Sequence, residues 1–307
     1  MKTNRPFLTL AAAGGLTALM TSPAGAFLLY SSGPINDRAS NPPSYANCTS
    51  CHTTNPVNSG DGGVAISGVP AEYTPGATYP ITVMLQDPNQ RRWGFEIAVF
   101  GPNDNNIGTT TITNANLTQK STVGGRSWIK HTTAGTFAGT VNGPVSWSFD
   151  WTAPAAPGGI AFFYVSGNAA NNNGFNTGDF IYNSSTAAAP AGAAHADSTL
   201  ILQPDSISFR RGRSVTVRAR VRNHTSSAQS YDLVSRVRLP GGSFFPPAGS
   251  LLPPIGLSLA AEGFTQASMT HMIPSGAPLI TATYEAFIQD AGGNPVDMDN
   301  FTFSVTP

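Results

Sequence analysis

Three observations predict an all-β protein of two tandem β-sandwich domains. Several segments of the 307-residue chain alternate apolar and polar residues with the period of two that a half-buried strand requires. Turn-forming residues, among them 32 glycines and 25 prolines, separate these segments at about the 8–12-residue spacing of sandwich folds. A stretch of small residues at 185–196 divides the strands into two groups, and we interpret it as a linker.

Residues 1–26 have the composition of a signal peptide. Lys2 and Arg5 precede an apolar run over 7–20, and Ala24-Gly25-Ala26 forms a small-residue cleavage site. The run is too short to span a bilayer, and no other segment approaches that length. We therefore expect cleavage after Ala26 and export to the periplasm, the cell surface or the extracellular space, with no membrane span.

The first domain is predicted over residues 27–184. Its strongest strand signals are 79–86, 93–100 and 145–151, where apolar residues occupy alternate positions. Residues 160–165 are nearly all apolar, as in a strand that is buried on both faces. No segment of this domain shows a helical period.

The second domain is predicted over residues 197–307. Clean alternation recurs at 214–222, 235–239 and 301–305. About seven short strands in roughly 110 residues suit an immunoglobulin-like sandwich.

The chain has only two cysteines, and both lie in Cys48-Thr49-Ser50-Cys51-His52. C-x-x-C-H is the attachment motif of c-type haem. The two thiols add to the haem vinyl groups, and the adjacent imidazole reaches the iron as the proximal ligand. The sequence thus predicts one covalent haem c, bound through Cys48 and Cys51 with His52 on the iron. A redox disulfide and half of a zinc site are the alternatives, but the βαβ context of the first and the further ligands of the second are missing.

The motif is followed by turn-forming residues rather than by a helical pattern. Residues 53–63 are rich in asparagine, glycine, threonine and serine, which favour loops. We therefore expect the haem to lie on a loop against a β-sandwich, unlike the haem of a helical cytochrome.

A set of short segments between residues 27 and 182 matches one known family. The segments are 30–33, 47–52, 73–76, 87–88, 92–95, 131–139, 149–154, 163–164, 167–171, 178–179 and 181–182. Through them the chain resembles the bacterial choice-of-anchor V family, which is similar to the reeler domain of secreted animal proteins. The resemblance implies an exported β-sandwich that carries the C-x-x-C-H motif. Members usually end in a surface-sorting tail, and this sequence departs from that pattern.

Two side chains are candidates for the sixth ligand of the iron. His131 shares the haem domain and follows the apolar Trp128-Ile129, so we favour ligation by His52 and His131. Met84 is the alternative, because it alternates away from the apolar face of its strand. An open position is a third alternative, which would permit peroxide chemistry. Three arginines could neutralise the haem propionates, Arg91, Arg92 and Arg126, but an ordinary solvated arginine is the favoured interpretation of each.

Five arginines of the second domain alternate along two predicted strands. If these strands are neighbours, the five cations line one sheet face that could dock an anionic surface. A solvated outer face is the alternative interpretation. The residues are Arg218, Arg220, Arg222, Arg236 and Arg238.

These features predict an exported monohaem c-type cytochrome that transfers electrons to a redox partner protein or to other haem subunits. The alternative is a non-enzymatic surface or extracellular-matrix module with a structural haem. No catalytic signature independent of the haem is present, so an enzyme is less favoured. The 16 basic and 16 acidic residues balance, which argues against a nucleic-acid partner.

Overall fold

The computed structural model describes residues 30–307, so the predicted signal peptide lies outside the described residues. Within this range the chain is all-β and forms two sandwiches, which confirms the predicted fold class. Its helical content is limited to two 3₁₀ turns, Cys48–Ser50 and Ala134–Thr136, in the described part of the chain. No helix in residues 30–307 has the length and apolarity to cross a bilayer.

The first sandwich packs a four-stranded sheet on a six-stranded one. Its strands are β1 (Gly63–Ser67), β2 (Glu72–Tyr73), β3 (Thr78–Gln86), β4 (Arg92–Phe100), β5 (Thr109–Ile112), β6 (Thr118–Val123), β7 (Arg126–His131), β8 (Val145–Thr152), β9 (Ala161–Ala170) and β10 (Phe180–Pro190). The smaller sheet has the order β1-β3-β8-β5, and the larger sheet has the order β2-β10-β9-β4-β7-β6.

Period-two alternation places the core of this sandwich between the two sheets. On β8, Val145, Trp147, Phe149 and Trp151 are buried, as the sequence pattern predicts. Facing side chains of β4 and β9 complete the same apolar cluster. Burial of several aromatic side chains, each of about 150–250 Å², makes this core the main source of the domain's stability.

The second sandwich has nine strands in two sheets. They are β11 (Ser198–Pro204), β12 (Ser208–Arg210), β13 (Ser214–Asn223), β14 (Gln229–Arg238), β15 (Phe244–Phe245), β16 (Ile255–Leu259), β17 (Phe264–Met272), β18 (Thr281–Gln289) and β19 (Pro295–Thr306). The small sheet has the order β11-β13-β17. The large sheet has the order β12-β19-β18-β14-β15, and β16 pairs with β14.

The predicted linker differs from the structure in its first half. Residues 185–190 continue β10 and are buried; 185–188 pair with β9, and 189–190 pair with β2. The side chains of the alanines at 187–189 have no exposure, and their small size suits this closely packed part of the sheet. The connection between the sandwiches therefore begins after Pro190, and low side-chain volume here reflects close packing rather than a loop.

The outer face of the six-stranded sheet docks on the outer face of β11 and β13. Tyr164 and Ala187 of the first sandwich form an apolar cluster with Ile201 of the second. The N-terminal segment 39–57 lies at the same junction, and its Tyr45 packs in the second core against Phe301 with ring centroids 5.7 Å apart. The segment that carries the two cysteines is thereby held between the domains.

Candidate functional site

A cavity of about 510 Å³ lies on the part of the six-stranded sheet's outer face that the docking leaves free. On β9, Val165 and Ala169 point into the core, so Asn168 between them points outward to the cavity. The volume lies within the ~300–1,000 Å³ range of cofactor sites. Both cysteines of the motif and the histidines His52 and His131 line this cavity.

The motif enters the cavity on a single 3₁₀ turn. The Asn47 side chain accepts a hydrogen bond from the Thr49 backbone N–H at 2.9 Å and caps the turn. The His52 N–H donates to the Cys48 carbonyl at 3.0 Å, which closes the loop around the two thiols. The prediction that the motif lies on a loop and not on a helix is confirmed.

His52 has a close polar partner at one ring nitrogen. Its Nδ1 lies 2.5 Å from Oδ2 of Asp179, whose side chain is only 1% exposed. Asn168 Nδ2 lies 3.2 Å from Nε2 and 3.4 Å from Nδ1, so this amide faces the ring and is not aimed at Nε2. A carboxylate only accepts hydrogen bonds, so the proton lies on Nδ1 and the lone pair on Nε2. This is the arrangement of an imidazole that binds a metal through Nε2.

The two thiols lie in different surroundings, and both are free. Cys48 Sγ accepts a hydrogen bond from Ser166 Oγ at 3.3 Å, and the Cys48 N–H donates to the same oxygen. Burial raises the pKa of the Cys48 thiol to about 12. Cys51 is exposed. Cys51 is therefore the thiol that reagents reach first.

His131 ends β7 and is buried against β4. The Phe95 N–H lies 3.0 Å from His131 Nδ1, and the Phe95 carbonyl oxygen lies 3.3 Å from the same nitrogen. Burial lowers the pKa of His131 to about 4, so the ring is neutral at physiological pH. A neutral imidazole is the form that binds iron. Gly94 makes room for the ring, because a Cβ there would lie 2.7 Å from Cε1 of His131.

The alternative ligand Met84 does not line the cavity. It lies on β3 of the other sheet and is 40% exposed on that sheet's outer face. The pattern correctly directed Met84 away from the core, but the cavity is on the opposite side of the sandwich. The structure thus brings His131, and not Met84, together with the C-x-x-C-H motif.

Two arginines line the cavity, and only one of them was predicted. Arg92 and Arg38 are lining residues. Arg91 is exposed and is not one of them. Arg126 is directed elsewhere, since it donates to the Pro42 carbonyl at 2.6 Å and lies over the Phe100 ring. Arg126 as a partner of an anion in the cavity is therefore a wrong prediction.

The arginine-lined sheet face predicted for the second domain is also wrong. The strands that carry the arginines, β13 and β14, belong to opposite sheets, so the five cations do not share a face. Three of them lie on β13, where burial at the domain junction lowers the pKa of two. The other two pair with Glu285 on the far sheet. The residues are Arg218, Arg220 and Arg222 on β13, and Arg236 and Arg238 on β14.

Two histidines, His195 and His224, lie at the domain junction and not at the cavity. His224 is buried, with Nδ1 3.1 Å from the Ala71 carbonyl of the first domain and Nε2 2.7 Å from Thr199 Oγ1 of its own domain. His195, in the connection between the domains, has Nε2 3.0 Å from Glu72 Oε1 of the first domain. These contacts hold the second domain and the connection against the first domain.

Sequence reasoning missed Asp179 and Asn168 as site residues. Asn168 is on β9, and Asp179 comes directly before β10, at the other end of the β9–β10 connection. Both lie inside segments that carry the family resemblance, 167–171 and 178–179. That resemblance was the available signal, but nothing local in the sequence directs either side chain to His52.

The lining residues suit a haem c. The donor set holds two thiols and an imidazole with a free Nε2, and Asn168 Oδ1 is a buried oxygen without a hydrogen-bond partner among the described residues. Apolar side chains at the cavity come from Ile35, Ala170 and Phe175, whereas Trp93 and Phe95 direct their side chains into the core behind it. Within residues 30–307, no group of three or more His, Cys, Asp or Glu side chains has the arrangement of a protein-only metal site.

Comparisons with known proteins return sandwich folds at low similarity. No family model matches the chain, and no curated protein matches it. The human F-spondin reeler domain is 18% identical over 42% of this chain and 88% of that chain, with a TM-score of 0.32. A cohesin module of a Clostridium perfringens family 33 glycoside hydrolase is 12% identical over 44% and 98%, with a TM-score of 0.33. These likenesses carry no statement about function, and the choice-of-anchor V family stays a prediction.

Proposed function

We propose that the protein is an exported monohaem c-type cytochrome that transfers electrons. The observation that supports this proposal is the meeting of Cys48, Cys51, His52 and His131 at one cavity. His131 is remote from the motif in the sequence, so the motif alone does not account for this meeting. One-electron chemistry is what a haem supplies when bound.

The residues of the cavity have separable roles in this proposal. Cys48 and Cys51 would hold the haem through two thioether bonds, and His52 Nε2 would bind its iron. His131 would be the second iron ligand, which it can be through Nε2 only when its proton lies on Nδ1. In this structure the Phe95 N–H donates to Nδ1 at 3.0 Å, which favours the proton on Nε2. Ligation through Nε2 would therefore require the proton to move to Nδ1, where the Phe95 carbonyl, 3.3 Å away, would accept its hydrogen bond. Arg38 and Arg92 supply cations for the propionates.

Covalent attachment is tested first, in cells that contain a haem c maturation system. The purified full chain is expected to give a pyridine haemochrome spectrum with one covalent haem per chain, and the double variant Cys48→Ser/Cys51→Ser is expected to give none. Ser50→Ala is the matched control, because this exposed side chain lies between the two thiols. A folded wild-type chain without haem would contradict the proposal.

Axial ligation is tested by comparing His131→Ala with Met84→Ala. Loss of His131 is expected to convert a low-spin absorption spectrum to a high-spin one, while loss of Met84 leaves the spectrum unchanged. The opposite pattern would transfer the sixth-ligand role to Met84.

Electron transfer is tested by a redox titration of the haem-loaded protein. A reversible one-electron wave supports a carrier that passes electrons to a partner protein or to neighbouring haem subunits. A haem that is not reduced reversibly would favour the alternative, a surface or extracellular-matrix module in which the haem is structural. Export is checked by N-terminal sequencing of secreted protein, which is expected to begin at Phe27.

A further inference from the structure

The buried carboxylate of Asp179 is not required by the proposed function, yet it is the nearest polar partner of His52. It lies 2.5 Å from His52 Nδ1. Its other oxygen, Oδ1, accepts from the Asn171 N–H at 3.2 Å. Since both oxygens are in use and the side chain is 1% exposed, the carboxylate is held in one orientation toward the imidazole.

The other polar neighbour of His52 leaves this choice of tautomer to Asp179. Asn168 Nδ2 lies 3.2 Å from Nε2 and 3.4 Å from Nδ1, so the amide faces the ring and is not aimed at one nitrogen. Acceptance by Asp179 requires the proton on Nδ1. The carboxylate is therefore the group that decides which nitrogen keeps its lone pair.

We propose that Asp179 is a positioning residue that presents His52 Nε2 as the ligand atom and lowers the reduction potential of the centre. This inference rests on the proposed function. A carboxylate behind a ligating imidazole fixes its tautomer and raises its basicity. A more basic ligand and a buried negative charge both favour the oxidised, more positive state of the iron, and outer hydrogen bonding is one of the ways a protein tunes a haem.

A purely structural role for Asp179 makes different predictions. Its backbone carbonyl accepts from Asn55 Nδ2 at 3.0 Å, so this corner also ties the motif segment to the start of β10. Asn55→Ala removes that tie and leaves the carboxylate in place. It is therefore the matched control for Asp179→Asn, which keeps the side-chain shape and removes the charge.

The first measurement needs no haem. Nitrogen-15 NMR of the full chain in a Cys48→Ser/Cys51→Ser background reports which nitrogen of His52 carries the proton. With Asp179 present we expect the Nδ1–H form, and in Asp179→Asn we expect its preference to fall about tenfold, the low end of effects seen for outer hydrogen-bond partners of metal ligands. The introduced amide can either accept from Nδ1 or donate to it, so the preference weakens without loss of the fold.

The second measurement is the reduction potential of the haem-loaded chain. We expect a higher potential in Asp179→Asn and the wild-type potential in Asn55→Ala. An unchanged tautomer and an unchanged potential in Asp179→Asn would overturn the role of Asp179 alone. Absence of covalent haem from the wild-type chain would overturn the proposed function, and with it the effect on the potential.

Discussion

The outer face of the six-stranded sheet has two halves that differ in what covers them. The docking half is closed by the second domain, where Arg218 donates to the Val57 carbonyl across the junction and pairs with Asp205 of its own domain. The cavity half is open, and Cys48, Cys51 and His52 line it. Buried polar atoms without a hydrogen-bond partner among the described residues occur in both halves, such as Ser185 Oγ in the docking half and Asn168 Oδ1 in the cavity half, so the open volume is what marks the cavity half as the side for a ligand.

The largest expected effect comes from the docking half. Tyr45→Ala removes an aromatic side chain from the second core, where it contacts Phe301. We expect a loss of about 3–5 kcal/mol in the free energy of unfolding, measured by denaturant titration. Phe175→Ala is the control at the cavity mouth, where the ring is 63% exposed, and it should change stability by less than about 0.5 kcal/mol. Equal losses would remove the distinction between the two halves.

The buried cation of the junction gives the next effect. Arg218→Met leaves Asp205 without its ionic partner and Val57 O without its donor. We expect a loss of about 3 kcal/mol, the low end for breaking a buried pair, because Asp205 is partly exposed. Arg213→Met, at an exposed turn, serves as the control. If both substitutions had equal effects in denaturant titration, β13 would not contribute to docking through this pair.

Overpacking of a side chain in the cavity half is expected to reduce the free energy of unfolding by less than the two substitutions in the docking half. Gly94→Ala places a Cβ 2.7 Å from His131 Cε1, and the ring has to move. A loss of about 1–3 kcal/mol follows from overpacking. Gly256→Ala, whose Cβ meets its nearest atom at 4.0 Å, is the control in the second domain. Circular dichroism melts measure both variants, and a stable Gly94→Ala protein would mean that His131 has room to spare.

The effect that is smallest at neutral pH is a pH dependence of the docking half. Burial lowers the pKa of His224 to about 4, whereas an unfolded chain protonates histidine near 6.5. Between these values the unfolded state binds more protons, so stability is complete above about pH 6.5 and is lost as the pH falls toward 4. Denaturant titrations across this range should show a shallower slope for His224→Gln. Parallel curves for the two proteins would exclude His224 as the source.

Local features of this molecule could be predicted from its sequence, and features set by topology could not. The C-x-x-C-H motif is contiguous, and the alternation on β8 is a property of one strand, so both were predicted. Whether β13 and β14 are neighbours depends on the order of strands in the sheets. The two strands belong to different sheets, so the five arginines do not share a face. The contact between Asp179 and His52 likewise depends on where the β9–β10 connection ends, which no local pattern specifies.

The contact between Tyr45 and Phe301 sets an order in time. Phe301 is synthesised long after Tyr45, and at ~5–20 residues per second the intervening chain takes roughly 10–50 s to appear. During that interval segment 39–57 has no second domain to pack on. The segment therefore reaches its final packing only when nearly the whole chain has been made, and a chain that stops before Phe301 never makes this contact.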